Sequence, residues 1–245
     1  MQGTGRTFME KTTFENLAPS DQMRGLPQPP LGLPCPPGAG AIPLPRPEEI
    51  RVPGTDLRTA IERRESVRQY LDRPLGLDEL AFLLWCVQGV RHREGDIFTF
   101  RNVPSAGARH ALETYVLANA VAGLPPGLYR YDALSHRLCE IDRSAGIADR
   151  IAAACVNQRF LVNNAASFVW TAVAARMTWR YGERGYRYLH LDAGHACQNL
   201  YLAAVAVGCG VCAVGAFSDE ALNAALGVDG ETEFALYCAA VGKIR

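Results

Sequence analysis

The 245-residue sequence carries no net charge, its 25 Lys and Arg offsetting 25 Asp and Glu. It therefore lacks the broad positive field that draws proteins to nucleic acid or anionic membrane, and neither is expected as a partner. There is no P-loop and no Gly-x-Ser-x-Gly nucleophile elbow. Cys209 and Cys212 form a Cys-x-x-Cys, but no second one and no His pair at metal spacing accompanies it, so no metal site is expected and the two read as core thiols. The opening "MQGTGRTFMEK" lacks the charged, apolar, then small-residue order of a signal peptide. The expected compartment is the cytoplasm, with all eight cysteines as reduced thiols rather than a disulfide framework. One uncharged run, 200–217, is long enough to span a bilayer. Gly208 and Gly210 interrupt it, and "AVGAF" after them suits a buried strand better than a continuing helix.

What is present suits a globular fold, with 49% hydrophobic residues and no internal repeat. Residues 1–54 hold most of the prolines, which makes this an extended arm, with Ile42 and Leu44 favouring some docking. The domain proper is expected over 55–245. "TDLRTAIERR" reads as a helix capped by Thr55 or Asp56, and "GLDELAFLLWCVQGV" as a second stopped by Gly89. "LETYVLAN" and "GLYRYD" read as neighbouring strands, and "ASFVWTAVAA" as a strand buried on both faces. "YRYLHLDAGHACQNLYLAAVAVG" is the longest helix, on which Asp192 and His195 could pair in the core or at an interface. "SDEALNAALG" is a short helix capped by Ser218, and "FALYCAAVGK" the last strand. Helices and strands do not alternate regularly, so the fold class is α+β.

The densest chemistry lies in "ERRESVRQYLDRPL". If these residues are extended, Arg64, Ser66 and Arg68 project to one side, where two guanidinium forks beside a hydroxyl make a seat for a phosphate dianion. The alternative is a solvated surface on which the arginines pair with Glu62, Glu65 and Asp72.

Arg-x-Ser-x-Arg-x-Tyr after a helix resembles the opening motif of the nitroreductase superfamily of flavin enzymes. "PSAGARHALETYVL" resembles its flavin loop, and "RYGERGYRYLHLDAGHACQNLYLAAVAVGCG", "GAFSDEALNAALGV" and "VGKIR" follow in the order of its SagB-type, azoline dehydrogenase-like branch. The resemblance implies a nitroreductase-like fold, a mainly antiparallel sheet flanked by helices in an interlocked homodimer with FMN at the interface. It implies that Arg64, Ser66, Arg68, Lys243 and Arg245 hold the FMN phosphate. Pro104, Ser105, Ala106 and Gly107 would lie along the ring, with the Gly215 N–H at flavin N5 and Ala216 beside it. Arg180 and Tyr181 stand where the azoline-type branch has Lys-Tyr, which makes Tyr181 the first candidate for handling a proton, because arginine is a poor base. Ala108 is a second departure, since the superfamily often has Asn there. The implied activity is hydride transfer through N5 between NAD(P)H and an electron-poor acceptor, or oxidation of a small-molecule or modified-peptide substrate as in SagB-type dehydrogenases. A reading of another class is a flavin-holding or empty dimeric scaffold in a biosynthetic complex.

Overall fold

The computed structural model describes residues 3–245; the first two residues of the arm lie outside the described residues. In chain order the helices are α1 (Thr4–Lys11), α2 (Leu57–Arg63), α3 (Leu77–Gln88), α4 (Ile147–Ala154), α5 (Ala174–Tyr181), α6 (Gly185–Ala206) and α7 (Asp219–Leu226). The strands are β1 (Ala41–Pro43), β2 (Val90–Glu94), β3 (Phe98–Arg101), β4 (Leu112–Ala118), β5 (Gly127–Asp132), β6 (Arg137–Asp142), β7 (Ala166–Val173), β8 (Cys209–Val214) and β9 (Glu233–Lys243). Seven form one antiparallel sheet in the order β1-β6-β5-β4-β7-β9-β8, and β2 and β3 make a separate hairpin. The α+β expectation holds, with helices on both faces of the sheet.

Period-two alternation sorts the sheet residues into two cores. Val116, Phe168, Trp170 and Val241 face α3 and α6, while Tyr115, Leu117, Val169 and Cys238 face α4 and α7. β4 is buried at every position, as a central strand covered on both sides must be. The helix caps follow the sequence: Asp56 accepts from the Thr59 N–H at 2.9 Å and Ser218 from the Ala221 N–H at 3.3 Å. Of the uncharged run, α6 takes the first part and β8 the part after Gly208, so the strand begins before the expected "AVGAF". No helix among the described residues is long and apolar enough to cross a membrane.

The arm carries the helix α1, which an extended segment did not suggest, and it docks as Ile42 and Leu44 implied, with Leu44 buried and Ile42 packed on the core. It is ordered against its own chain, because a polyproline segment has free carbonyls and three arginines supply donors. Arg176 donates to the Pro30 carbonyl at 2.8 Å, Arg101 to Leu31 at 3.3 Å, and Arg130 to Leu33 and Pro34. All three arginines are buried, and Arg176 pairs with Glu113 at 2.7 Å. Directly after this clamp Cys35 is joined to Cys139 of β6, with the Cα atoms 5.4 Å apart. That corrects the expectation of eight reduced thiols: one pair is a disulfide and the other six cysteines are free. A separation of 104 residues concealed it, since only the docking of the arm on β6 brings the two together.

Candidate functional site

Two groups of side chains, anchored to different ends of α6, contain most of the sequence-selected residues. The first is the arginine segment. After α2 the chain runs extended along the sheet edge, with Ser66 bridging Val211 and the Leu71 N–H donating to the Lys243 carbonyl at 2.9 Å. It can lie this close because Gly242 has no side chain: a Cβ there would stand 2.6 Å from the Tyr70 ring. Ser66 Oγ lies 2.9 Å from the Tyr201 hydroxyl, which also accepts from the Ala213 N–H at 2.9 Å, and the Arg64 guanidinium sits over the Tyr201 ring, 5.5 Å from its centre. Arg64 and Arg245 line one cleft of about 140 Å³ with Tyr201 and Gly210, with Glu65 at its wall.

Among the described residues, Arg64, Arg68 and Arg245 form no ion pair with a carboxylate; Glu62 is paired with Arg58 instead. With Arg68 and Arg245 exposed, Arg64 half-buried against Tyr201 and none of them ion-paired, these cations fit an anion seat better than the surface network weighed as the alternative. Lys243 is not gathered with them. Its ammonium is buried and donates to Glu79 Oε1 and, at 2.7 Å, to the Val207 carbonyl. A buried cation needs such partners, and they divert it from the cleft. Gly215 and Ala216 follow the end of β8 opposite the cleft-lining Cys209 and Gly210, both exposed, and a Cβ on Gly215 would meet only the Tyr237 ring edge at 3.9 Å.

The second group is built around the Pro104–Gly107 turn. Ser105 donates to Asp192 Oδ2 at 2.6 Å, the Ala106 N–H to Asp192 Oδ1 at 3.3 Å, and the His110 N–H to Ser105 Oγ at 2.9 Å. Asp192 is thus the anchor of the turn, and its part in the site went unread because the sequence offered only the nearby His195 as a partner. Burial raises its pKa from the ordinary carboxyl value, against the hydrogen bonds from Ser105 and Ala106. The turn holds left-handed backbone at Gly107 (φ 57°), Ala108 (φ 53°) and His110 (φ 43°). Asparagine tolerates that conformation better than alanine, which is a physical reason for the Asn that Ala108 replaces.

Gly107 packs against Arg180 and Tyr181 at the end of α5: a Cβ there would lie 2.4 Å from the Tyr181 hydroxyl and 3.0 Å from Arg180 Cδ. The turn and the Arg-Tyr pair, 73 residues apart in sequence, are therefore one site. Arg109, also overlooked in the sequence, donates to the Gly107 carbonyl at 3.1 Å and stacks on Trp179 with its guanidinium carbon 5.4 Å from the ring centre. Burial, and then the charge of Arg180, lower its pKa.

Asp192 and Tyr201 are nine residues apart on α6, which places them about 13 Å apart along the axis and about 180° apart around it. Within one chain the arginine segment and the turn consequently face opposite sides of the helix.

Comparison with known proteins bears on the family and the fold. The nitroreductase family profile matches residues 61–243. A protein of Methanocaldococcus jannaschii that carries the nitroreductase name is 36% identical over 203 residues, which are 82% of this chain and 96% of the relative. A solved structure from Anabaena variabilis with the same name superposes with a TM-score of 0.63 at 30% identity; it covers 78% of this chain, and this chain spans 38% of that longer one. A structure from Desulfovibrio desulfuricans, solved in complex with FMN, shares the fold at 19% identity with a TM-score of 0.55, over 77% of this chain and 86% of its own.

Proposed function

The chain belongs to the nitroreductase family, and from that premise we propose that it is an FMN-dependent oxidoreductase working as a homodimer. The observation that carries the reading is the pair of half-sites on opposite faces of α6: an unpaired cationic seat at Ser66–Tyr201 and a strained, anchored turn at Ser105–Asp192. A second copy related by a two-fold axis would bring the seat of one chain to the turn of the other.

The residues present fit the cofactor. Arg64, Ser66, Arg68 and Arg245 would hold the phosphate, and Lys243 is left out of that set because Glu79 occupies it. Pro104 to Gly107 would lie along the ring, and the missing side chain of Gly107 lets Arg180 and Tyr181 pack directly against this turn. FMN, when bound, supplies reversible hydride exchange at N5 with NAD(P)H and with an electron-poor acceptor. Gly215, exposed just after β8, carries no side chain to cover its backbone N–H, and a donor there favours developing negative charge without adding a titrating side chain. Tyr181 presents its hydroxyl beside the turn and can give or take a proton at the substrate, while Arg180 stays charged and orients. The replacement of Lys by Arg at 180 favours acceptor reduction over the azoline oxidation of the SagB-type branch.

Purified protein tests this directly. The expected result is an oxidised-flavin spectrum, FMN by mass after denaturation at about one per chain, and anaerobic bleaching by NADH or NADPH. A protein that stays colourless after incubation with FMN would leave the scaffold reading in its place.

A further inference from the structure

Beyond the turn, Arg180 and Tyr181 open into a groove of about 350 Å³, whose other wall is the arm: Phe14, Leu17, Pro19 and Met23. Phe14 is 67% and Met23 78% exposed, so the arm spends two large apolar side chains on a surface that buries neither. The arm is held there by polar bonds elsewhere on it. The Gln22 N–H donates to the Trp179 carbonyl at 2.8 Å, Trp179 Nε1 to the Leu26 carbonyl at 2.9 Å, and Arg184 to the Thr12 carbonyl at 2.8 Å. The apolar wall is thus presented on a fixed backbone rather than on a loose tail.

The charge in the groove is unbalanced. Among the described residues, Arg180 is its one lining cation, and no carboxylate lines it. Buried Arg109 stands behind, close enough to feel the charge of Arg180, and its hydrogen bonds go to the Gly107 and Ile97 carbonyls. Among the described residues neither guanidinium has an acid within ion-pair distance. Two neighbouring positive charges without a counter-charge favour an incoming anion.

We propose that this groove binds a small organic acid, its carboxylate on Arg180 and its apolar body between Phe14, Met23 and Tyr181. This names the substrate class of the site and, as a statement about substrate, rests on the flavin reading above. The volume, at the low end for small-molecule sites, suits a body of one or two rings or a short branched chain. Seated so, the body would lie beside the Tyr181 hydroxyl and therefore beside Gly107 and the turn. Arg180 and Phe14 are then specificity residues: one selects charge and the other selects shape.

Isothermal calorimetry on the full chain, with phenylacetate and its neutral isostere phenylacetamide as probes, tests this without relying on flavin. The acid is expected to bind about tenfold tighter or more, the discrimination typical of a charge-assisted hydrogen bond. Arg180→Gln is expected to bring the acid down to the level of the amide while leaving the amide unchanged, and Met23→Ser to weaken both. Equal binding of the two probes, a preference that survives Arg180→Gln, or no binding of either in the millimolar range overturns the assignment. Bound flavin is scored separately by absorbance. Flavin that bleaches in a protein without acid preference sinks the groove assignment alone, whereas acid preference in a colourless protein sinks the flavin reading alone.

Discussion

The two groups of side chains proposed as half-sites are built by opposite means. The arginine segment is relaxed and exposed: extended backbone, unpaired cations and a sheet edge made approachable by Gly242. The turn is strained, with three left-handed residues within four positions, and its supports are buried: Asp192, Arg109, His110 and, behind them, Arg101 and the Arg176–Glu113 pair. A seat for a mobile anion needs charge that water has not neutralised, whereas a surface for a flat ring needs backbone held in one conformation. Strain of this kind persists only where neighbours over-determine it, and those neighbours are polar groups taken out of water.

The contrast predicts that changes behind the turn cost stability while changes in the arginine segment cost binding. The largest effect is expected for Glu113→Gln, which leaves the Arg176 guanidinium buried without its partner and should lower unfolding free energy by about 3–5 kcal/mol, read by urea denaturation. Next is acid. Burial and the charge of Arg101 push His110 down to about 3 from an ordinary value of 6.5. The unfolded chain therefore takes up this proton first, so the contribution of His110 is fully present above about pH 6.5 and is lost progressively as pH falls toward 3. Denaturation midpoints from pH 7 to 4 should fall in the wild type and flatten in His110→Gln; the raised carboxyl pKa values of Asp192 and Glu233 work in the opposite direction.

In the arginine segment the double change Arg64→Ala, Arg68→Ala should weaken FMN binding about a hundredfold, the loss of two charge-assisted contacts, while moving stability by under about 0.5 kcal/mol. A large stability loss there would break the contrast. The smallest effect is a gain: Ala108→Gly relieves left-handed backbone and should add about 1 kcal/mol of stability, measured by thermal melting.

Legibility in the sequence divides along the same line. Locally patterned features could be read: the extended Arg-x-Ser-x-Arg run, the caps at Asp56 and Ser218, and the apolar and aromatic-rich strands of the sheet centre. Features made by contacts between distant residues could not. Asp192 finds Ser105 across 87 positions and Cys35 finds Cys139 across 104. Lys243 looked like one more phosphate ligand because only the fold places Glu79 against it. The β2–β3 hairpin was missed for a different reason: "VRHREGDIFTF" alternates too little and carries too much charge to announce a strand pair.

The central claim is that neither half-site works without a second copy, and mixing two crippled chains tests it most directly. Arg64→Ala, Arg68→Ala spoils the seat and Gly107→Val spoils the turn. Each variant alone should form a folded dimer with little bound FMN. Unfolded and refolded together, they should recover flavin in about one quarter of the sites, because a mixed two-fold dimer regains one intact site from the two undamaged halves. Folded mixed dimers that recover no flavin would contradict the account and place the whole site within one chain.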